Sequence, residues 1–387
     1  MAALRSGLQT LEKRGSEGIS SRPARDCADR GLRNVDRIET ASGPLFRRRH
    51  SYTLSERIGS VSLGAALAAD ERQLSLLGLE PAVATRDVAG ALFLDTETTG
   101  LGGSGCLAFL VGLAWFEGDR VVLDQYILTS PQHEPAMLET VRARIARASY
   151  LVSYNGKSFD MPMLATRWVM NRIDQPESRP HLDLLHLVRR VHRDRTWRKT
   201  LTSAERHVLG FDRGPDVAGA EVAERYQHYL HSGDCAPIED VMRHNAHDVM
   251  SLVALVGMYG EPLGRLDGED LASAARVFQR AGDLTCAAIA AERALVKGGG
   301  ATALRARGFI AKAAGDKRRA LADFEAIVAQ SCDLEVRLEL AKLYEHFCRE
   351  PHRALATIAE GTTENACAHE RRMRRLERKC ARFSAKC

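Results

Sequence analysis

Asp95 and Glu97 interrupt an otherwise apolar run, ALFLDTETTG over residues 91–100. Four apolar residues lead into them and Thr98-Thr99-Gly100 follows, the pattern of a strand buried on both faces that leaves into a loop. Strand residues two apart share a side, so both carboxylates point the same way, about 6–7 Å apart. Like charges so placed repel, and a hard divalent cation with oxygen ligands, Mg²⁺ or Mn²⁺, relieves that repulsion. Taken alone, such a pair is more often a solvated strand end. The weight therefore falls on whether other segments bring further carboxylates.

Two segments do. A second apolar run, Tyr150 to Tyr154, ends in Asn155-Gly-Lys-Ser-Phe-Asp160, which places an acid just past the carboxyl end of a strand. Functional residues collect at such ends in open α/β sheets. Asp160 also suits the cap of a helix that Pro162 helps to start, and Asn155 suits a turn. Further on, helical periodicity covers about Asp240 to Val256, with Val249, Leu252, Val253 and Val256 on the core side. His244 and Asp248 lie one turn apart on that helix and project from one face.

The ordered motifs are FLDTETTGLGGSG with AFLVGLAWFEGDR, then SYNGKSFDMPML, HLDLLH, LTSAERHVLG and HNAHDVMSL. Together they resemble the YprB-type ribonuclease H-like domain of the DEDD 3′–5′ exonuclease superfamily, over roughly residues 45–260. The resemblance implies an α/β fold, a mixed β-sheet flanked by helices, acting on nucleic acid. It further implies four carboxylates holding two Mg²⁺ or Mn²⁺ ions, by motif position Asp95, Glu97, Asp160 and Asp248, with His244 completing the catalytic set. One departure stands out. Better-known branches carry Tyr four residues before the last Asp or His five before it; here Arg243 is five before and His244 four before.

The chain that must position these residues has 387 of them, 45% hydrophobic and 27% charged, enough for two domains. Its net charge of +5 is uneven. Residues 1–50 hold 11 Lys/Arg against 6 acids and residues 370–387 hold 8 against 2, leaving the middle at a formal −6. Basic ends around an acidic middle suit a polyanion partner and a metal-holding centre, and equally suit solvated tails. No apolar run is long enough for a bilayer, so no membrane partner is expected. The nine cysteines show no C-x-x-C pair, which fits reduced thiols in a cytoplasm.

Residues 1–44 read as a basic, unstructured segment, 45–260 as the ribonuclease H-like domain, 270–365 as helical repeats and 366–387 as a basic tail. Gly100 to Gly105 matches G-x-G-x-x-G, a dinucleotide signature, but two strand-like runs joined at Gly118 follow where a helix is required. Arg189 to Lys199 carries six Lys/Arg around Trp197 and suits either phosphate and base contacts or a solvated helix face. Thr202-Ser-Ala-Glu205 reads as a capping box for a short helix closing at Gly210. Gly282-Asp283, Gly315-Asp316 and Arg349-Glu350 recur at 33 and 34 residues, each before an Ala-rich helix. That period resembles tetratricopeptide hairpins, which would offer a surface to a protein partner or simply cap the first domain. The leading expectation is a metal-dependent nuclease. The alternative is a non-catalytic nucleic-acid-binding or scaffold protein that retains the metal site.

Overall fold

The computed structural model describes residues 31–100 and 105–384. Its strands in chain order are β1 (Val35–Thr40), β2 (Gly43–Thr53), β3 (Arg57–Ile58), β4 (Val61–Ser62), β5 (Leu92–Thr98), β6 (Ala108–Glu117), β7 (Arg120–Ile127), β8 (Leu151–Ser153) and β9 (His181–Asp183). Seven form one mixed sheet in the order β1-β2-β7-β6-β5-β8-β9, while β3 and β4 pair separately. β5 lies inside it, antiparallel to β6 and parallel to β8. The β6–β7 hairpin turns at Gly118, whose φ of +60° suits a residue without Cβ. A strand thus follows the glycine-rich loop, and the dinucleotide signature lacks the helix whose N-terminus would hold a pyrophosphate. Residues 101–104 of that loop lie outside the described residues.

The helices of the first part are α1 (Glu71–Gly78), α2 (Glu134–Arg147), α3 (Asp160–Met170), α4 (Leu184–Val191), α5 (Leu201–Ala204, continuing into a π-turn over Glu205–Leu209), α6 (Gly219–Ser232) and α7 (Ala236–Gly260). They flank the sheet on both faces, as expected. Strand alternation sorts the core: Phe93 joins one cluster with α1, α4 and the C-terminal half of α7, and Leu92 and Leu94 join another with α2, α3 and α6. Asp95 and Glu97 follow the phase of Phe93 and so face α7.

Three expectations are corrected. The segment expected to be unstructured through residue 44 contains β1, an edge strand paired to β2 in register from Val35↔Arg48 to Thr40↔Gly43. Residues 1–30 lie outside the described residues. The basic triplet explains part of the ordering, since each arginine on β2 has an acid: Arg47 with Asp36 at 3.2 Å, Arg48 with Glu239 at 2.7 Å, and Arg49 with Asp124 at 2.7 Å. Second, residues 366–384 of the expected basic tail are a helix rather than a tail. Third, the cap of α5 is Thr200, whose hydroxyl accepts the Ser203 N–H at 3.2 Å. Glu205 is thereby released from the capping role and sits fully buried.

The second part is all helical: α8 (Gly268–Arg280), α9 (Leu284–Val296), α10 (Gly300–Ala313), α11 (Lys317–Val328), α12 (Leu334–Leu343, with a π-turn to Cys348), α13 (Pro351–Ala359) and α14 (Ala366–Ser384). One core cluster runs from Val61 through the sheet to Ile310, so α8, α9 and part of α10 share the core of the first part. The later helices build their own cluster, from Ala311 to Leu376. α14 closes it with Leu376, while the buried Glu345 carboxylate accepts from Arg375 at 2.8 Å and Lys379 at 2.7 Å. The Arg189–Lys199 stretch helps to join the two parts: Arg195 pairs with Asp267, Glu269 and Asp270 at the start of α8. No helix among the described residues is long and apolar enough to cross a membrane.

Candidate metal centre

Asp160 reaches β5 because the turn after β8 is forced tight. Asn155 adopts a left-handed backbone, φ +73°. Its N–H donates to Asp183 Oδ1 at 2.8 Å, and the Lys157 N–H donates to Asp183 Oδ2 at 3.1 Å. A Cβ on Gly156 would lie 2.3 Å from Ser153 Oγ and 3.1 Å from Asp160 Oδ2, so only glycine fits there. The turn aims Asp160 back at β5, where the Thr96 hydroxyl donates to its Oδ1. Asp160 is the first residue of α3 and not its cap; the N-cap is Phe159, without a side-chain bond. A carboxylate in the first helical turn also gains from the helix dipole.

The HLDLLH motif supplies scaffolding for this turn. Asp183 also caps α4 by accepting the Leu185 N–H at 3.1 Å. His181 Nε2 lies 2.7 Å from Ser153 Oγ, and burial pushes the imidazole down to about 4, so it is neutral at physiological pH.

From α7, His244 and Asp248 face Glu97. One ligand atom from each of Glu97, His244 and Asp248 lies within 4.8 Å of the others. His244 Nε2 is 3.5 Å from Asp248 Oδ2 and 3.9 Å from Glu97 Oε1. Asp95 and Asp160 stand outside this close trio but within its field. Withdrawal from water, then repulsion from Asp248, Glu97 and Asp160, hold the Asp95 carboxyl well above the usual carboxylate range. Glu97 is raised by the same withdrawal and by Asp248, Asp160 and Asp216. Burial pushes Asp160 up to about 6 against the opposing Thr96 hydrogen bond.

Three further charged residues belong here, and sequence periodicity gave no sign of them. The Arg213 guanidinium, from the loop between the π-turn and α6, is buried between Glu205 and Asp248 and hydrogen-bonds both. Its Nη1 lies 3.1 Å from Asp216 Oδ2. Asp216 Oδ2 in turn sits 2.8 Å from His244 Nδ1, which leaves Nε2 directed at Glu97 and Asp248. Despite burial, which raises it, the Asp216 carboxyl is held below its ordinary value by His244. Single charged residues in a loop have no periodic signature; the one clue was Glu205 beside a helix start, and it invited the capping reading.

The donor set suits a hard divalent cation. Carboxylate oxygens of Glu97 and Asp248 converge with one imidazole, Asp95 and Asp160 lie within their field, and among the described residues Asp248 alone of the four acids is hydrogen-bonded to a cationic side chain. Asp95, Glu97 and Asp160 hold protons more tightly than free carboxyls do, which is the behaviour of acids short of positive charge. The edge of β5 helps them converge: its pairing with β6 slips between Glu97↔Leu110 and Thr98↔Ala108, a bulge beside the site.

The chain is similar to "Uncharacterized protein YprB" of Bacillus subtilis (strain 168), 29% identical over 307 residues that cover 76% of this chain and 74% of that protein. Residues 92–259, the stretch from β5 to the end of α7 that carries the whole acidic cluster, match the family model RNase_H_2 of the RNase_H superfamily.

Proposed function

We propose that the protein is a metal-dependent 3′–5′ exonuclease of the DEDD type, hydrolysing phosphodiester bonds of DNA or RNA. The observation that carries this reading is the gathering of Asp95, Glu97, Asp160 and Asp248, from β5, α3 and α7, closely enough that Asp248 and Asp160 raise the carboxyls of both Asp95 and Glu97. These four residues would hold two Mg²⁺ or Mn²⁺ ions. When bound, such ions acidify water and neutralise the charge that develops on the phosphate and the leaving oxygen.

The chain's own residues do the rest. Asp216 takes up His244 Nδ1, so Nε2 is the nitrogen presented to the site and is placed to accept the proton of the attacking water. Arg213 fixes Asp248 from the opposite side. As water oxygen bonds to phosphorus, the bond to the 3′ oxygen breaks and a nucleoside 5′-monophosphate is released. The 33- to 34-residue helical period resembles tetratricopeptide hairpins and would serve a protein partner. The first of these helices are already engaged with the sheet domain's core.

A panel of 5′-labelled DNA and RNA oligonucleotides, single- and double-stranded, with Mg²⁺ or Mn²⁺, tests the reading. Stepwise shortening from the 3′ end is expected for the wild type. Asp95→Ala and Asp248→Asn should lose at least about 10³-fold in rate while staying folded, the scale of losing a group that acts in the transition state. Unimpaired cleavage by either variant would show that the nuclease site lies elsewhere.

A further inference from the structure

Asp95 lies in a row of residues that crosses three strands. It pairs with Gly112 on β6, and Gly112 pairs with Gln125 on β7. All three follow the phase that faces α7, as Phe93, Ala114 and Leu123 in the same strands do. The middle position of the row is empty of side chain. Asn245 of α7, fully buried, drops into that space. A Cβ on Gly112 would lie 2.4 Å from Asn245 Oδ1 and 2.8 Å from a Val249 methyl, so any larger residue would push Asn245 away.

The polarity of the hydrogen bonds across the row is settled by chemistry. Gln125 Nε2 donates at 2.7 Å to the Met242 carbonyl of α7, which can only accept. The same Nε2 donates at 2.9 Å to Asn245 Oδ1. Asn245 must then turn its amide nitrogen the other way, and Nδ2 donates to Asp95 Oδ2 at 2.8 Å. A flipped Asn245 would set two oxygens against each other at Asp95 and two N–H groups against each other at Gln125. This hydrogen bond lowers the proton affinity of Asp95, opposing the burial and the neighbouring acids that raise it.

We infer that Gly112, Gln125 and Asn245 form a positioning unit that orients the Asp95 carboxylate for a divalent cation: Gly112 makes the space, Gln125 sets the amide, and Asn245 holds one carboxylate oxygen so that the other is presented. None of the three touches substrate, and none is itself a metal ligand. The inference rests on the metal reading above. It deepens that reading by naming residues outside the acidic set that tune it, as outer partners of metal ligands do.

Calorimetric titration of the metal-stripped full-length protein with MnCl₂, without nucleic acid, tests it. Asn245→Ala should weaken Mn²⁺ binding about 10–100-fold. Gln125→Met and Gly112→Ala should weaken it by a smaller factor, roughly threefold or more. Because Gln125 acts through Asn245, adding Gln125→Met to Asn245→Ala should produce no further loss. The structural control is Gln73→Met. Gln73 also gives its amide to partly buried carbonyls of the α7 end, those of Tyr259 and Glu261, away from the carboxylates. It should lower the melting temperature and leave the Mn²⁺ affinity unchanged. A folded Asn245→Ala protein with wild-type affinity overturns the inference, and if that variant does not fold, wild-type affinity in both Gln125→Met and Gly112→Ala does so. Failure of the wild type itself to bind Mn²⁺ overturns the metal reading instead, and the positioning role with it.

Discussion

At the scale of single residues, Asp160 shows the tension the site is built on. It is buried, its proton affinity is raised to about 6, and its charge is compensated by the Thr96 hydroxyl and backbone N–H groups, all of them neutral. A carboxyl whose folded value lies above its ordinary 3.8 binds protons more tightly in the folded protein. It therefore contributes stability that is complete below about pH 4 and is lost as pH rises through about 6. Metal-free protein should accordingly melt at lower temperature at pH 7.5 than at pH 5. Asp160→Asn should flatten that slope and raise metal-free stability at pH 7.5 by roughly 1–3 kcal/mol, each tenfold change in proton affinity being about 1.4 kcal/mol. Saturating Mn²⁺ should restore the wild type at pH 7.5 and do little for Asp160→Asn. Thermal melts across pH, with and without Mn²⁺, check this; a wild-type profile rising from pH 5 to 7.5 without metal would contradict it.

At the scale of elements, the loop carrying Arg213 is tied to two others by one guanidinium, which also pairs within the loop. Glu205 comes from the π-turn, Asp248 from α7, and Asp216 leads into α6. Glu205 and Arg213 are almost completely shielded from water, 1% and 4% exposed at their side chains. Removing one partner of a buried pair leaves a charge with nothing to balance it, at about 3–5 kcal/mol. Arg213→Met should therefore destabilise the protein by about that amount, as denaturant unfolding would report. Replacing Arg213 and Glu205 together with Met and Gln should cost less than Arg213→Met alone, because the stranded carboxylate goes as well. Equal losses for the single and double variants would mean that the pair does not act as a unit. The sequence could not disclose this hub, since a pairing across eight or thirty-five residues leaves no local pattern.

For the whole molecule, the boundary drawn in sequence near residue 260 is not where the core ends. Leu271, Ala275 and Phe278 of α8 and Ala287 and Ala291 of α9 are buried in the cluster that also holds Phe93 and Val253. Burying one large apolar side chain is worth about 1.5–3 kcal/mol, so exposing Leu271 and Phe278 together would remove much of a typical domain's stability. A chain ending at residue 266 should be insoluble or partly unfolded. A chain ending near residue 315, which keeps α8 to α10, should fold and retain any Mn²⁺ binding. Soluble expression and melting temperature of the two truncations decide the matter. Should the shorter chain prove fully stable, α8 and α9 would be dispensable to the sheet domain.

The residues that bear charge in fixed local patterns were legible in the chain itself. Two acids on an apolar strand, an acid after a strand end and a His–Asp pair one helical turn apart depend only on periods of 2.0 and 3.6 residues. The mixed sheet flanked by helices was what the resemblance carried by the ordered motifs implied. Tertiary structure alone decided which carboxyls feel one another and which arginine sits among them. It also decided that Asn245 fills the gap over Gly112, and that the helices after residue 266 complete the first core. Each of these depends on contacts between segments far apart in the chain, where burial strengthens charge interactions and fixes hydrogen-bond direction. No periodicity within a single segment encodes that.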